Sequence, residues 1–252
     1  MSRLLDEVFA AHGGLERWRA VTALTAHGTF GGLLRSRFPG NRMANVTVRV
    51  QLAEQHAVFE GFPEEDQRAA FDRGDVRIET RDGELIDARR NARAAFAGLS
   101  GLRRNLRWDA LDAAYFAGYA WWNYLSTPML LTREGVTITE SDTWPEAGEQ
   151  WRRLEVSFPP DIHTHSQRQT FHVDAAGLIR RHDYVAQPIG PWARAGHAPA
   201  RQRRRSTDRA AHTASRIGDG PGEHQPHLPS LGNEHLATAL TFIRPGKGRL
   251  AP

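Results

Sequence analysis

The fold is best predicted from residues 108–125, WDALDAAYFAGYAWWNYL, which we call the aromatic segment. Five of its residues recur at spacings of 4, 3, 4 and 3, the spacing of one face of an α-helix. Aromatic rings occupy the other sides too, so a helix here must be buried on most sides or bound to something apolar. The residues of the repeating face are Leu111, Tyr115, Gly118, Trp122 and Leu125.

The aromatic side chains of this segment have two interpretations. In the first, the helix is a lid whose rings line a hydrophobic ligand pocket. The phenol and indole groups then supply the few polar groups that such a pocket needs. In the second, the rings are core residues packed against a sheet. Both hold if one face packs on a sheet while another lines a cavity. The candidate ligand-binding residues are Tyr115, Tyr119, Trp121, Trp122 and Tyr124.

On both sides of the aromatic segment the sequence changes to a period of two, which is typical of strands. Residues 46–52 alternate Val or Leu with other residues, and Asp82-Gly83 separates two further runs as a hairpin turn does. Before the first strand, Ser2 can cap a helix that Gly13-Gly14 ends. Residues 1–190 are therefore predicted as one mainly antiparallel α+β domain.

The last stretch of the chain, residues 191–252, has a different composition. It holds 7 of the 14 prolines and 5 of the 12 histidines. Its apolar residues show neither the period of 2 of a strand nor the period of 3.6 of a helix. We predict a low-order basic tail. Its origin stays open between an unstructured extension, a functional basic arm and a C-terminus translated from a shifted frame of a GC-rich gene.

The basic charge of the chain is concentrated in this tail. Residues 1–190 carry 23 Arg against 25 acidic residues, whereas residues 191–252 carry 10 basic residues against 4 acidic ones. Net charge bears on partners rather than on the fold, so a nucleic-acid partner is not favoured for the domain. The chain has no cysteine, and it shows neither a signal-peptide run nor a membrane span. We expect a cytoplasmic protein.

Three motifs in the domain resemble one bacterial family. AHGGLERWRAV at residues 11–21, FAGYAWWNYLSTP at 116–128 and FPPDIHTHS at 158–166 are similar to stretches of uncharacterised members of the LolA/LolB-like lipoprotein-carrier fold group. The resemblance covers about residues 1–186. The lack of a signal peptide departs from the periplasmic carriers, and no closing strand is evident after residue 190.

The resemblance implies a curved antiparallel half-barrel sheet whose concave face is covered by helices, with an apolar cavity between them. The predicted fold class is therefore α+β. It comprises that half-barrel, an N-terminal helix and a central aromatic helix, followed by an irregular or disordered C-terminal tail. Carriers of this group hold acyl chains in the cavity. The implied partner is a hydrophobic small molecule or a lipid.

A second candidate site lies in the run Asp161-Ile-His163-Thr-His165. In an extended chain these three side chains share one face, a spacing that suits a metal or acid–base chemistry, and His172 follows on a predicted strand. The alternative, which we favour, is a loop after Pro159-Pro160 with exposed histidines. No complete metal motif is present, so no metal or other cofactor is predicted.

These observations give two main hypotheses of function, and nucleic-acid binding through the basic tail is a weaker third. The first is a protein that binds a hydrophobic small molecule or lipid in a cavity between the sheet and the aromatic helix. The second is an enzyme that acts on an apolar substrate in the same cavity, with Asp161, His163, His165 or His172 as catalytic groups. Histidines turned towards the aromatic helix favour the enzyme, and histidines turned to solvent disfavour it.

Overall fold

The computed structural model describes residues 2–30, 37–38, 46–104, 106–146, 148–197 and 238–242. Twelve strands in these residues pair antiparallel in two sheets. In chain order the strands are β1 (Ala23–Phe30), β2 (Val46–Gln51), β3 (His56–Glu60), β4 (Gln67–Asp72), β5 (Asp75–Thr80), β6 (Leu85–Arg89), β7 (Thr137–Glu146), β8 (Glu149–Ser157), β9 (Arg168–Val173), β10 (Ile179–Val185), β11 (Arg194–His197) and β12 (Thr238–Phe242).

The first sheet has seven strands in the order β12-β1-β2-β3-β4-β5-β6, and the second has five in the order β11-β10-β9-β8-β7. Apart from the β1–β12 pair, hydrogen-bonded neighbours in both sheets follow one another along the chain, as in a meander. The predicted hairpin joins β5 to β6, and Gly83 in its turn has a φ of +92°. Short loops thus set most of the register.

The α-helices whose full bounds lie in the described residues are α1 (Arg3–Ala11), α2 (Leu15–Arg19), α3 (Gly98–Arg104) and α4 (Ala110–Ser126). Ser2 caps α1 as predicted, its side chain accepting from the backbone N–H of Leu5 at 3.2 Å. The helix lies against the second sheet, where Glu7 pairs with Arg152 of β8 at 2.6 Å. None of the helices in the described residues combines the length and apolar character that a membrane crossing requires.

The predicted aromatic helix is α4, and it lies on the first sheet. Its N-terminus is fixed by a capping box in which Asp109 and Asp112 each accept from the other's backbone N–H. Gly118 faces β4, where a Cβ atom would overlap Phe71, with the Cγ atom of that ring only 2.5 Å away. Gly118, in the middle of the repeating face that the sequence predicts, thus lies directly on the sheet.

The α+β class, the antiparallel strands, the N-terminal helix and the central aromatic helix are confirmed. The division of the strands into two sheets was not predicted, because strand periodicity does not reveal which strands pair. Most of the predicted tail lies outside the described residues. Two strands in it, β11 and β12, extend the two sheets at their edges, although the sequence suggested no strand beyond residue 190.

Candidate functional site

The aromatic helix is covered on its far side by residues 158–167, which join β8 to β9 and which we call the cover loop. A backbone hydrogen bond of 2.8 Å from Phe158 to Gln167 closes its base. Gln55 then holds the loop from both directions, donating to the carbonyl of His163 at 2.7 Å and accepting from its N–H at 2.9 Å. Asn123 of the helix donates to the same carbonyl at 3.1 Å.

The His163 side chain contacts the helix directly. Its Nδ1 atom lies 2.9 Å from the Tyr115 hydroxyl. The ring also lies over Gly74 in the β4–β5 turn, where φ is +98° and a Cβ atom would come within 2.5 Å of Nε2. Glycine is required there both by the backbone conformation and by the space that the imidazole fills.

The His163–Tyr115 pair is uncharged at neutral pH. Burial, reinforced by the charge of Arg93, lowers the pKa of His163 to about 4. Burial also raises the pKa of Tyr115 to about 12. A neutral imidazole next to a protonated phenol forms a hydrogen bond without charge separation.

The second histidine of the loop is the centre of a larger network. His165 lies 3.1 Å from the Tyr119 hydroxyl through Nδ1 and 2.8 Å from the Tyr124 hydroxyl through Nε2. The Tyr124 hydroxyl is 2.6 Å from that of Tyr184 in β10, whose ring stacks on His165 with centroids 4.0 Å apart. Burial raises the pKa of each of these three phenols. The chain has four tyrosines, and all four belong to this network.

The guanidinium of Arg93 lies at the edge of the network. Arg93, in the 3-10 helix Ala92–Phe96, donates to the carbonyl of Thr164 at 3.0 Å and to Oε1 of Gln187 at 3.1 Å. Its Nη1 atom is also 3.5 Å from the Tyr115 hydroxyl. The guanidinium therefore fastens the cover loop to the segment that follows β10.

The two indoles among the predicted ligand-binding residues have a packing role here. Trp122 donates from Nε1 towards the carbonyls of Gln51 and Glu54, at 2.8 and 2.7 Å, and so anchors the helix to the β2–β3 turn. Trp121 is fully buried. Tyr115 and Tyr119 are equally buried, while Tyr124 is half-buried. A ligand-binding role for these five residues remains a prediction.

The four catalytic candidates are not brought together. His163 and His165 face the aromatic helix, so the expectation that they are exposed is wrong: the tyrosine hydroxyls give both rings buried partners. Asp161 is exposed. His172 belongs to β9, where alternation places it on the opposite face from Phe171, and it pairs with Asp183 at 3.0 Å. Among the described residues, no group of three metal-ligating side chains is found.

Several members of the network were missed from the sequence. Gln55, Arg93, Tyr184 and Gln187 come from four separate elements, and no local spacing links them to the D-x-H-x-H run. The aromatic segment and the histidine run, by contrast, are both visible in the sequence. Their contact across 40 to 48 residues of chain is a product of the tertiary fold.

A first prediction concerns the pH dependence of stability. Because the folded-state pKa of His163 is about 4 against 6.5 for an exposed ring, the unfolded chain takes up its proton at higher pH. The contribution of His163 to the free energy of unfolding is therefore fully present above about pH 6.5, and it is lost as the pH drops towards 4. Discounted for partial exposure, the loss is on the order of 1–2 kcal/mol.

Urea unfolding of the wild type and His163→Gln at pH 7.5, 6 and 5 measures this loss. The variant is less stable at pH 7.5, and we expect its stability to fall less on acidification. His27→Gln is the control, since that histidine is bonded to Thr47 in the first sheet. Equal pH slopes for His163→Gln and the wild type would contradict the prediction.

No family model matches the sequence, and no curated protein matches it either. Among solved structures, the chain is similar to a DUF1329 family protein from Desulfovibrio piger ATCC 29098. The identity is 11% and the TM-score 0.35, over 72% of this chain and 71% of that one.

Proposed function

We propose that the protein binds a small hydrophobic molecule or lipid between the aromatic helix and the cover loop. The observation that carries the proposal is the convergence of all four tyrosines on two histidines of one loop. Ligand sites for apolar molecules are lined by aromatic rings with a few well-placed polar groups. The phenols and the neutral imidazole of His163 supply such groups without the desolvation cost of buried charges.

The far side of the helix suits a ligand better than the side on the sheet. Gly118 already lies against Phe71, so the contact between helix and sheet has no room for another molecule. On the far side, the cover loop is attached in part by hydrogen bonds, from Gln55, Asn123 and Arg93. Each of these bonds is worth about 1 kcal/mol net, so a ligand that buries apolar surface can offset their loss.

An unused acceptor lies beside the loop. Within the described residues, Oδ1 of Asn123 is buried and has no hydrogen-bond partner. Buried polar atoms are nearly always bonded to protein or water, so this oxygen is suited to a ligand hydroxyl or to a bound water. The sequence resemblance to the LolA/LolB-like group implies the same class of ligand.

The enzyme hypothesis has one observation in its favour, the orientation of His163 and His165 towards the helix. General acid–base groups work best with a pKa near the operating pH. The pKa of His163 is lowered to about 4 and that of Tyr115 is raised to about 12, so neither exchanges a proton readily at neutral pH. The network therefore suits hydrogen bonding to a ligand better than proton transfer.

Binding of oleic acid and of oleyl alcohol to purified, delipidated protein tests the proposal. We expect Kd values on the order of micromolar, with quenching of tryptophan fluorescence. Tyr119→Phe, which removes one hydroxyl, is expected to weaken binding about fivefold. His27→Gln is the matched control and keeps wild-type affinity. The proposal fails if neither probe binds, or if Tyr119→Phe and Tyr124→Phe both leave the affinity unchanged.

A further inference from the structure

Three leucines next to the aromatic helix are turned out to solvent. Leu99 is 88% exposed, Leu102 67% and Leu106 81%. The first two are three residues apart in α3 and share a helix face, and Leu106 follows two residues beyond the end of that helix. Single exposed leucines are common, but three within eight residues mark an interaction surface.

The opposite side of α3 explains why the leucines face outward. Gly101 is buried, and a Cβ atom on it would overlap the backbone carbonyl of Phe96. The helix therefore lies with its glycine side on the 3-10 helix Ala92–Phe96. Leu99 and Leu102 are directed away from that contact, because side chains one and two positions from Gly101 lie on other faces of the helix.

The surrounding sequence is strongly basic. Between Ala88 and Trp108 there are six arginines and no acidic residue, whereas the domain as a whole is slightly acidic. Arg89 is paired with Asp109 and Asp112, and Arg93 binds the cover loop. The others belong to the sequence around the exposed leucines: Arg90, Arg103, Arg104 and Arg107.

The exposed leucines and the basic sequence around them together distinguish between two kinds of partner for this surface. A second copy of the chain packed symmetrically on the leucines would bring two basic segments together, and like charges across an interface are unfavourable. An anionic lipid surface takes both features, because leucine side chains enter the acyl boundary while arginines contact the phosphates. The charge therefore favours a membrane surface.

We infer that the surface formed by Leu99, Leu102 and Leu106, the leucine surface, docks reversibly on anionic membranes. The inference rests on exposure and charge at α3, and it does not depend on a ligand under the cover loop. Partly inserted leucines supply an apolar contribution, and the arginines add an electrostatic one that weakens with salt. Neither component alone is expected to hold the protein on a vesicle.

Co-sedimentation of the full chain with vesicles tests the inference. We expect binding to phosphatidylcholine vesicles that contain about one third phosphatidylglycerol, and little binding to pure phosphatidylcholine. Leu99→Ser/Leu102→Ser keeps every charge and is expected to weaken binding about tenfold. Leu85→Ser/Ile86→Ser is the matched control, since both residues are exposed on β6, and it binds as the wild type does.

Three results would overturn the inference. Absence of binding to the anionic vesicles removes it directly. Unchanged binding of Leu99→Ser/Leu102→Ser would show that the leucines do not contribute and that basic residues alone hold the protein on the vesicle. A dimer in gel filtration that the same variant dissociates, without vesicle binding, would make a second copy the occupant. Circular dichroism of both variants tests whether they fold as the wild type does.

Discussion

Gly118→Ala is expected to destabilise the protein by about 3 kcal/mol, although alanine is the better helix former by about 1 kcal/mol. Gly118 is in the middle of α4, where propensity alone predicts that alanine stabilises the helix. The tertiary contact reverses the sign. The added Cβ overlaps Phe71 at its Cβ and lies 2.5 Å from its Cγ. Because the Cβ of Phe71 is fixed by the strand backbone, no rotamer change relieves the overlap.

Urea unfolding followed by tryptophan fluorescence measures this effect. Ala117→Gly is the control on the neighbouring residue of the same helix, and we expect it to cost about 1–2 kcal/mol, mainly from helix propensity. The larger loss should therefore come from the substitution that propensity favours. Equal or increased stability of Gly118→Ala would show that α4 does not lie this close to β4.

Arg89→Ala is expected to cost about 3 kcal/mol, because it removes the cation that pairs with both capping residues of the aromatic helix. The guanidinium lies 2.7 Å from Oδ2 of Asp109 and 2.7 Å from Oδ1 of Asp112. The Asp112 side chain is only 1% exposed, so its carboxylate loses a charged partner that water cannot readily replace.

An exposed arginine–carboxylate pair provides the control. Arg3 pairs with Glu7 on the surface of α1, with 93% and 37% of the side chains exposed, and Arg3→Ala should cost less than about 0.5 kcal/mol. Adding Asp112→Asn to Arg89→Ala should recover part of the loss, because it removes the buried charge. If Arg89→Ala costs no more than Arg3→Ala, the proposed role of the ion pair is wrong.

Much of the domain could be predicted because its signals are local. The face of α4 follows from residues three and four apart, the β5–β6 hairpin from Asp82-Gly83, and the cap of α1 from Ser2. The leucine surface also follows from residues close together in the chain, yet its exposure was not predicted. Which side of a short helix is covered depends on the element beneath it, here the 3-10 helix that ends at Phe96.

The burial of His163 and His165 could not be predicted from the residues around them. The sequence favoured exposed histidines after Pro159-Pro160, since such a loop contains no partner for them. The partners of His163 and His165 are hydroxyls of α4 and β10, tens of residues away. Most buried polar side chains lie where the fold supplies their hydrogen bonds.

The sequence by itself therefore determined the antiparallel α+β class, the aromatic helix and its repeating face, because hydrophobic period and turn chemistry act over a few residues. Only the tertiary structure decided that the strands form two sheets and that the four tyrosines meet the histidines of the cover loop. Strand pairing and loop docking join residues far apart in the chain, and their energies depend on packing and burial that no short stretch of sequence contains.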